Sequence, residues 1–156
     1  MIKMNRAGVA MLVLSILAAV SARAQERRVT KAELPAAVRR VADSVSQGAT
    51  VGEYSSETEH GQVTYEVELT VNGHGKDITI SAAGEVVEVE EVVVMDSLPA
   101  AVRDALRTRA GSGTITKVES ISKHGTLVAY EAHVRTGTKR SEIQVGPDGQ
   151  PLAHEE

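Results

Sequence analysis

From Val63 to Val71 the chain alternates strictly. Val63, Tyr65, Val67, Leu69 and Val71 fall on one side, and Thr64, Glu66, Glu68 and Thr70 on the other. A period of two predicts a strand with one apolar and one wetted face. Upstream the period changes. Leu34, Val38, Val41 and Val45 recur at helical spacing, with Arg39, Arg40 and Asp43 off the stripe. Thr30 and Glu33 have the spacing of a capping box, but a helix starting there would enclose Pro35 and lose a hydrogen bond. Pro35 at the first helical position is the better start, and Gln47-Gly48 the end. Further strand-like runs cover Thr50–Glu59, 77–81 and a valine-rich acidic stretch at 85–94. His60-Gly61, Asn72-Gly73-His74-Gly75 and Ala83-Gly84 read as the turns between them.

The pattern then starts again. Leu34-Pro35-Ala36-Ala37-Val38-Arg39 returns letter for letter as Leu98-Pro99-Ala100-Ala101-Val102-Arg103, 64 positions later. His60-Gly61 matches His124-Gly125, Tyr65-Glu66 matches Tyr130-Glu131, Gly84 matches Gly149, and Glu90-Glu91 matches Glu155-Glu156. Such self-similarity signals a repeated structural unit. The second unit carries Leu98, Val102, Ala105 and Leu106 along a helix face, and Gly111-Ser112-Gly113 closes that helix. Strand-like runs follow at 114–122, 127–135, 139–145 and 150–154, with a turn at Pro147-Asp148-Gly149. The expectation is an α+β fold of two tandem repeats, 34–94 and 95–156, each with one helix packed on a four-stranded antiparallel sheet. Residues 25–33 are a lead-in. No glycine- or serine-rich linker separates the units, and about 60 residues is near the lower limit for independent stability, so they should sit close and support each other.

The first 24 residues stand outside this scheme. Lys3 and Arg6 precede an apolar run from Ala7 to Val20, and Ala22-Arg23-Ala24 fits a small-x-small cleavage site. The run is short for a membrane span. A signal peptide at 1–24 places the mature chain in the periplasm or the medium, with no membrane attachment after cleavage. The full chain has 17 basic and 21 acidic residues. The leader holds Lys3, Arg6 and Arg23 but no acid, which leaves 14 basic against 21 acidic residues, a net charge of −7. That balance argues against nucleic acid and anionic membrane surfaces as partners. There is no cysteine, so stability rests on packing without disulfides.

The Leu-Pro-x-x-Val opening, the short helix, the strands bearing a Tyr-Glu pair and the late glycine turn resemble the PepSY-like domains. These are the β-lactamase-inhibitor-like proteins of the bacterial periplasm. The resemblance spans nearly all of 34–156, as two copies. It implies one helix against a four-stranded antiparallel sheet, export, no catalysis, and an envelope protein or peptide, such as a peptidase, as partner. Related domains inhibit peptidases as propeptides, and a structurally similar tandem protein inhibits β-lactamase. The chain has no Phe, no Trp and three Tyr, short of the aromatic anchors typical of tight interfaces.

Candidate chemistry is sparse. None of the five histidines has a partner at helical metal-ligand spacing. His60 and His124 could form a ligand pair, but each precedes glycine and suits a turn. His74 lies in a glycine-rich turn without the features of a phosphate loop. No serine sits in a G-x-S-x-G elbow. Glu85, Glu88, Glu90 and Glu91 alternate with valine as a solvated strand would, and no calcium loop accompanies them. No catalytic residue, cofactor or metal is therefore expected. The wetted sheet face remains, with Glu66 and Glu68 in the first unit and Glu131, His133 and Arg135 in the second as predicted partner contacts. The leading expectation is a non-enzymatic binding or inhibitory module. The alternatives are a small metal- or ligand-binding envelope protein, a small enzyme, or a structural protein. Mass spectrometry of the exported protein is expected to give an N-terminus at Gln25; an intact leader would refute the cleavage site.

Overall fold

A computed structural model describes residues 25–59, 61–154 and 156. The leader reading at 1–24 and the turn residue His60 lie outside them. The strictly alternating stretch is a strand, Gln62–Val71 (β3). Before it come Gln25–Arg28 (β1), the helix Ala36–Val45 (α1) and Thr50–Glu59 (β2). After it come His74–Ser81 (β4), Val86–Val92 (β5), the helix Ala100–Ala110 (α2), Thr114–Lys123 (β6), Thr126–Thr136 (β7) and Lys139–Val145 (β8). All neighbours pair antiparallel, and the strands lie side by side in chain order from β1 to β8. Among the described residues no helix is long and apolar enough to cross a membrane.

This corrects the expected two four-stranded units. The described residues form one eight-stranded antiparallel sheet with two α-helices, a mostly-β fold. Three local facts explain the difference. First, β5 pairs onward with β6, from Glu88 opposite Lys123 to Val92 opposite Glu119. The Val93 N–H extends that seam to the Val118 carbonyl at 2.9 Å, and the His124 N–H reaches the Val87 carbonyl at 3.0 Å. Second, the supposed lead-in supplies an edge strand, with Arg27 opposite Ser56 on β2. Third, 150–154 form no strand. Pro151 has no N–H to give to a ladder, and the segment before it is held in a turn by the Gly146 N–H on the Gln150 carbonyl at 2.8 Å.

Both helices begin where proline predicts, Pro35 and Pro99 serving as N-caps. The capping-box spacing at Thr30 is also real, but it closes a separate 3-10 turn, Lys31–Glu33. The Glu33 carboxylate accepts from the Thr30 N–H at 2.7 Å and from its hydroxyl at 2.8 Å. Those two contacts, then Arg27, hold the Glu33 carboxyl down to about 2.

The helices cover one face of the sheet. Leu34, Val38 and Ala42 pack on Val67, Leu69, Ile78 and Ile80. Leu98, Val102 and Leu106 pack on Val118, Ala132 and Val145. Tyr65 and Tyr130 add to the two clusters from partly buried positions. The repeated letters have a local cause as well. Gly84 and Gly149 hold φ of +88° and +80°, in turns closed by matching bonds from their N–H groups to Ser81 and Gly146, both 2.8 Å. A Cβ on Gly84 would come 3.1 Å from Ala37, and one on Gly149 only 2.6 Å from the Ala101 carbonyl oxygen. Each turn therefore abuts the first turn of its helix. Glycine is needed on one side for the φ and the approach, and a small residue suits the other.

Two stability outcomes follow from this packing. Leu69→Ala should cost about 2–4 kcal/mol in urea unfolding, while Thr70→Ala, on the opposite face, should cost little. Gly125 has φ +78° with nothing within 4 Å of a built Cβ. Gly125→Ala should therefore lose only the left-handed strain, about 1 kcal/mol, and Gly149→Ala clearly more. Equal losses at the two glycines would contradict the contact with Ala101.

Candidate functional site

The face opposite the helices is polar, and register fixes its members. Glu66 lies opposite Thr79 and Glu68 opposite Asp77. Asp77 then lies opposite Glu90, and Thr79 opposite Glu88. Across the seam Glu90 meets Ile121, and beyond it Glu119 meets Glu131 and Lys117 meets His133. On the last strand Gln144 and Glu142 face Glu131 and His133. Register shifts on β2, between Val51 and Tyr54, and on β6, between Ile115 and Lys117, bend the sheet, as do others at Thr79/Ile80 and Ile121/Ser122. The bend is large enough that residues of β1 and β8 line one cavity of about 500 Å³. Glu26, Glu57, Glu66, Thr79, His133 and Glu142 all contribute to it. The polar face is thus the inside of a curved sheet.

Its centre is a buried carboxylate, Glu119, at 2% exposure. The Glu119 Oε2 lies 2.9 Å from His133 Nε2 and 2.7 Å from Lys117 Nζ. The same His133 Nε2 is 3.1 Å from Glu131 Oε1, and His133 Nδ1 is 3.4 Å from Glu142 Oε1. Gln144 Nε2 donates to Glu131 Oε2 at 2.8 Å, and Gln144 Oε1 accepts the Glu156 N–H at 2.8 Å. On its other side Glu119 adjoins Asp77 and Glu90.

Crowding of acids in a partly buried space changes their protonation. Burial, then Asp77, Glu68, Glu26 and Glu57, push the Glu66 carboxyl up to about 7. Burial, then Glu88, Glu119, Glu131 and Asp77, do the same to Glu90. Asp77 is raised by burial, then by Glu68 and Glu119, with Lys117 opposing. The face holds more carboxylate than its own cations neutralise, so it is suited to accept positive charge.

The predicted contact residues separate into three positions. Glu66 and His133 line the shared cavity, and Glu131 joins His133 beside Glu119. Glu68 is exposed on the same face, opposite Asp77. Arg135 lies farther along β7, lining an adjoining cavity of about 590 Å³ with Arg140, Thr116 and the same His133 and Glu142. Glu119, Asp77, Lys117 and Glu142 were not among the expected contacts. Alternation of Lys117, Glu119 and Ile121 with Val118 and Ser120 could have placed Glu119 on the polar face. The bulge that brings His133 opposite Lys117 left no sign in the sequence. Glu90, expected to be solvated, is half-buried because β6 flanks its strand.

The raised carboxyls give a pH signature. A folded-state pKa above the ordinary value means that the native chain holds extra protons between about 4.5 and about 7. The associated stability is fully present below that window and lost as pH rises through it. Urea midpoints should therefore fall between pH 4.5 and 7, and Glu66→Gln with Glu90→Gln should flatten the fall. A rise in midpoint across that window would contradict the burial of these groups.

No family model matches the chain, and no curated protein matches it. Solved structures do. A DUF2874 family protein from Bacteroides ovatus matches at a TM-score of 0.60 and 17% identity, over 76% of this chain and 84% of that one. A protein from Bacteroides eggerthii, provisionally described as periplasmic, matches at 0.63 and 17%, over 76% and 85%. A BLIP-like protein from Bacteroides fragilis matches at 0.54 and 18%, over 77% and 83%. At these identities the likeness concerns the fold alone: the chain is folded like these DUF2874 and BLIP-like structures.

Proposed function

We propose that the chain is a non-enzymatic, exported binding or inhibitory module, PepSY-like in kind. Its concave acidic face takes a basic segment of a protein or peptide in the bacterial envelope, such as a peptidase. One observation carries this reading. Carboxylates from strands at opposite ends of the sheet converge on one cavity, where burial, then the neighbouring acids, push the Glu66 carboxyl up to about 7. A lysine or arginine side chain entering there would relieve the repulsion and gain charge-assisted contacts. The likeness to a BLIP-like protein supports an inhibitory role, and the likeness to a provisionally periplasmic protein supports export. Arg135 and Arg140 beside the second cavity would steer the approach by repelling basic segments from that side.

The test is fluorescence anisotropy with a lysine- and arginine-rich peptide and a glutamate-rich peptide of equal length. The basic peptide should bind, more weakly in salt, and more tightly as pH rises through about 7 and Glu66 ionises. Glu66→Gln and Glu142→Gln should each weaken it. Equal binding of both peptides, or binding indifferent to both substitutions, would refute an acidic docking face.

A further inference from the structure

We propose that Glu119, Glu131 and His133 form a binding site for one divalent transition-metal ion of the zinc class. The proposal needs no protein partner and stands apart from the peptide reading. It starts from the neighbours of one side chain. The imidazole of His133 meets three carboxylate oxygens with two nitrogens. Nε2 is 2.9 Å from Glu119 Oε2 and 3.1 Å from Glu131 Oε1, and Nδ1 is 3.4 Å from Glu142 Oε1. A divalent cation seated between Nε2, Glu119 and Glu131 would take one nitrogen and two carboxylate oxygens as ligands, with Nδ1 left facing Glu142. An imidazolium is the competing occupant, since it serves the same oxygens through its two N–H groups.

The spacing is close to what zinc needs. Zinc bonds of about 2.0–2.1 Å at tetrahedral angles place neighbouring ligand atoms roughly 3.3–3.4 Å apart, so the contacts at Nε2 need open by only about a few tenths of an ångström. The two separations there are 2.9 and 3.1 Å, and the three ligand atoms lie within 4.8 Å of one another. The surroundings are those of an oriented ligand set. A metal-bound histidine commonly gives its other ring N–H to a carboxylate, and Glu142 is in that place. Gln144 holds the far oxygen of Glu131 by a 2.8 Å hydrogen bond, which leaves Oε1 to point at the ring. Glu119 is buried, so its charge is costly without a cation. At present Lys117 supplies one at 2.7 Å, from a side chain 39% exposed and therefore able to swing away. The ion and the ammonium compete for one oxygen. An imidazole among the ligands favours zinc-like ions over calcium or magnesium, which take oxygen alone. The side of the site toward Glu142 opens on the concave cavity, the route by which an ion would enter.

The experiment is calorimetric titration of the purified, tag-free protein with Zn²⁺, and separately with Ca²⁺. One Zn²⁺ per chain is expected, with Ca²⁺ far weaker. His133→Ala should abolish binding, with folding checked by circular dichroism. Glu142→Gln, at an exposed position, should weaken it roughly tenfold or more. Lys117→Met should tighten it, an effect that a merely structural role for the cluster would not produce. Three results would overturn the site: no Zn²⁺ binding, with His133 serving only as an imidazolium ion pair; one-to-one binding unchanged in His133→Ala; or Ca²⁺ binding as tight as Zn²⁺. Zinc binding without affinity for the basic peptide, or the reverse, would separate this site from the docking face.

Discussion

The seam between β5 and β6 is the interaction on which the rest of the molecule depends. Five residue pairs, from Glu88 with Lys123 to Val92 with Glu119, join two helix-bearing halves into one ladder. Without them each half would present an unpaired strand edge and a core resting on a single short helix. With them, Asp77 and Glu90 from one half are set beside Glu119 from the other. The acidic centre of the concave face is thus a product of the seam. Neither half contains it alone.

Much of the secondary structure was legible in the chain because it is written locally. The period-two run at Val63 to Val71 and the helical stripes after Pro35 and Pro99 depend on neighbours a few residues away. Whether there would be one sheet or two was not, because the pairing of β5 with β6 spans a whole helix and depends on tertiary geometry. The edge strand Gln25–Arg28 escaped notice because four polar residues show no apolar alternation. The supposed last strand was drawn from the repeat, and Pro151 breaks the analogy. For the candidate site, alternation alone put Glu66, Glu131 and His133 on one face. It could not tell that bulges would curve this face inward, nor that Glu119 would be buried at its centre.

The arrangement sets stability against charge. Carboxyls such as Glu66 and Glu90 are disfavoured in their ionised form where they stand, and the apolar clusters beneath the helices must offset that cost. Places where local rules are broken while the rest of the fold obeys them are where binding chemistry concentrates. Here the breach is one-sided. The helix-covered face follows ordinary packing, and the opposite face collects like charges around a part-buried histidine–carboxylate contact.

Among the described residues the order of the strands leaves β1 and β8 as the edges of the sheet. Each carries two adjacent cations, Arg27-Arg28 on the first and Lys139-Arg140 on the last. An exposed edge is a template for adding strands, and charge along it is a common defence. On the first edge both cations are already ion-paired, Arg27 with Glu33 and Arg28 with Glu53. A strand added there would have to displace those pairs, and one added to the last edge would have to accommodate Lys139 and Arg140. Charge at both margins thus works against widening of the sheet.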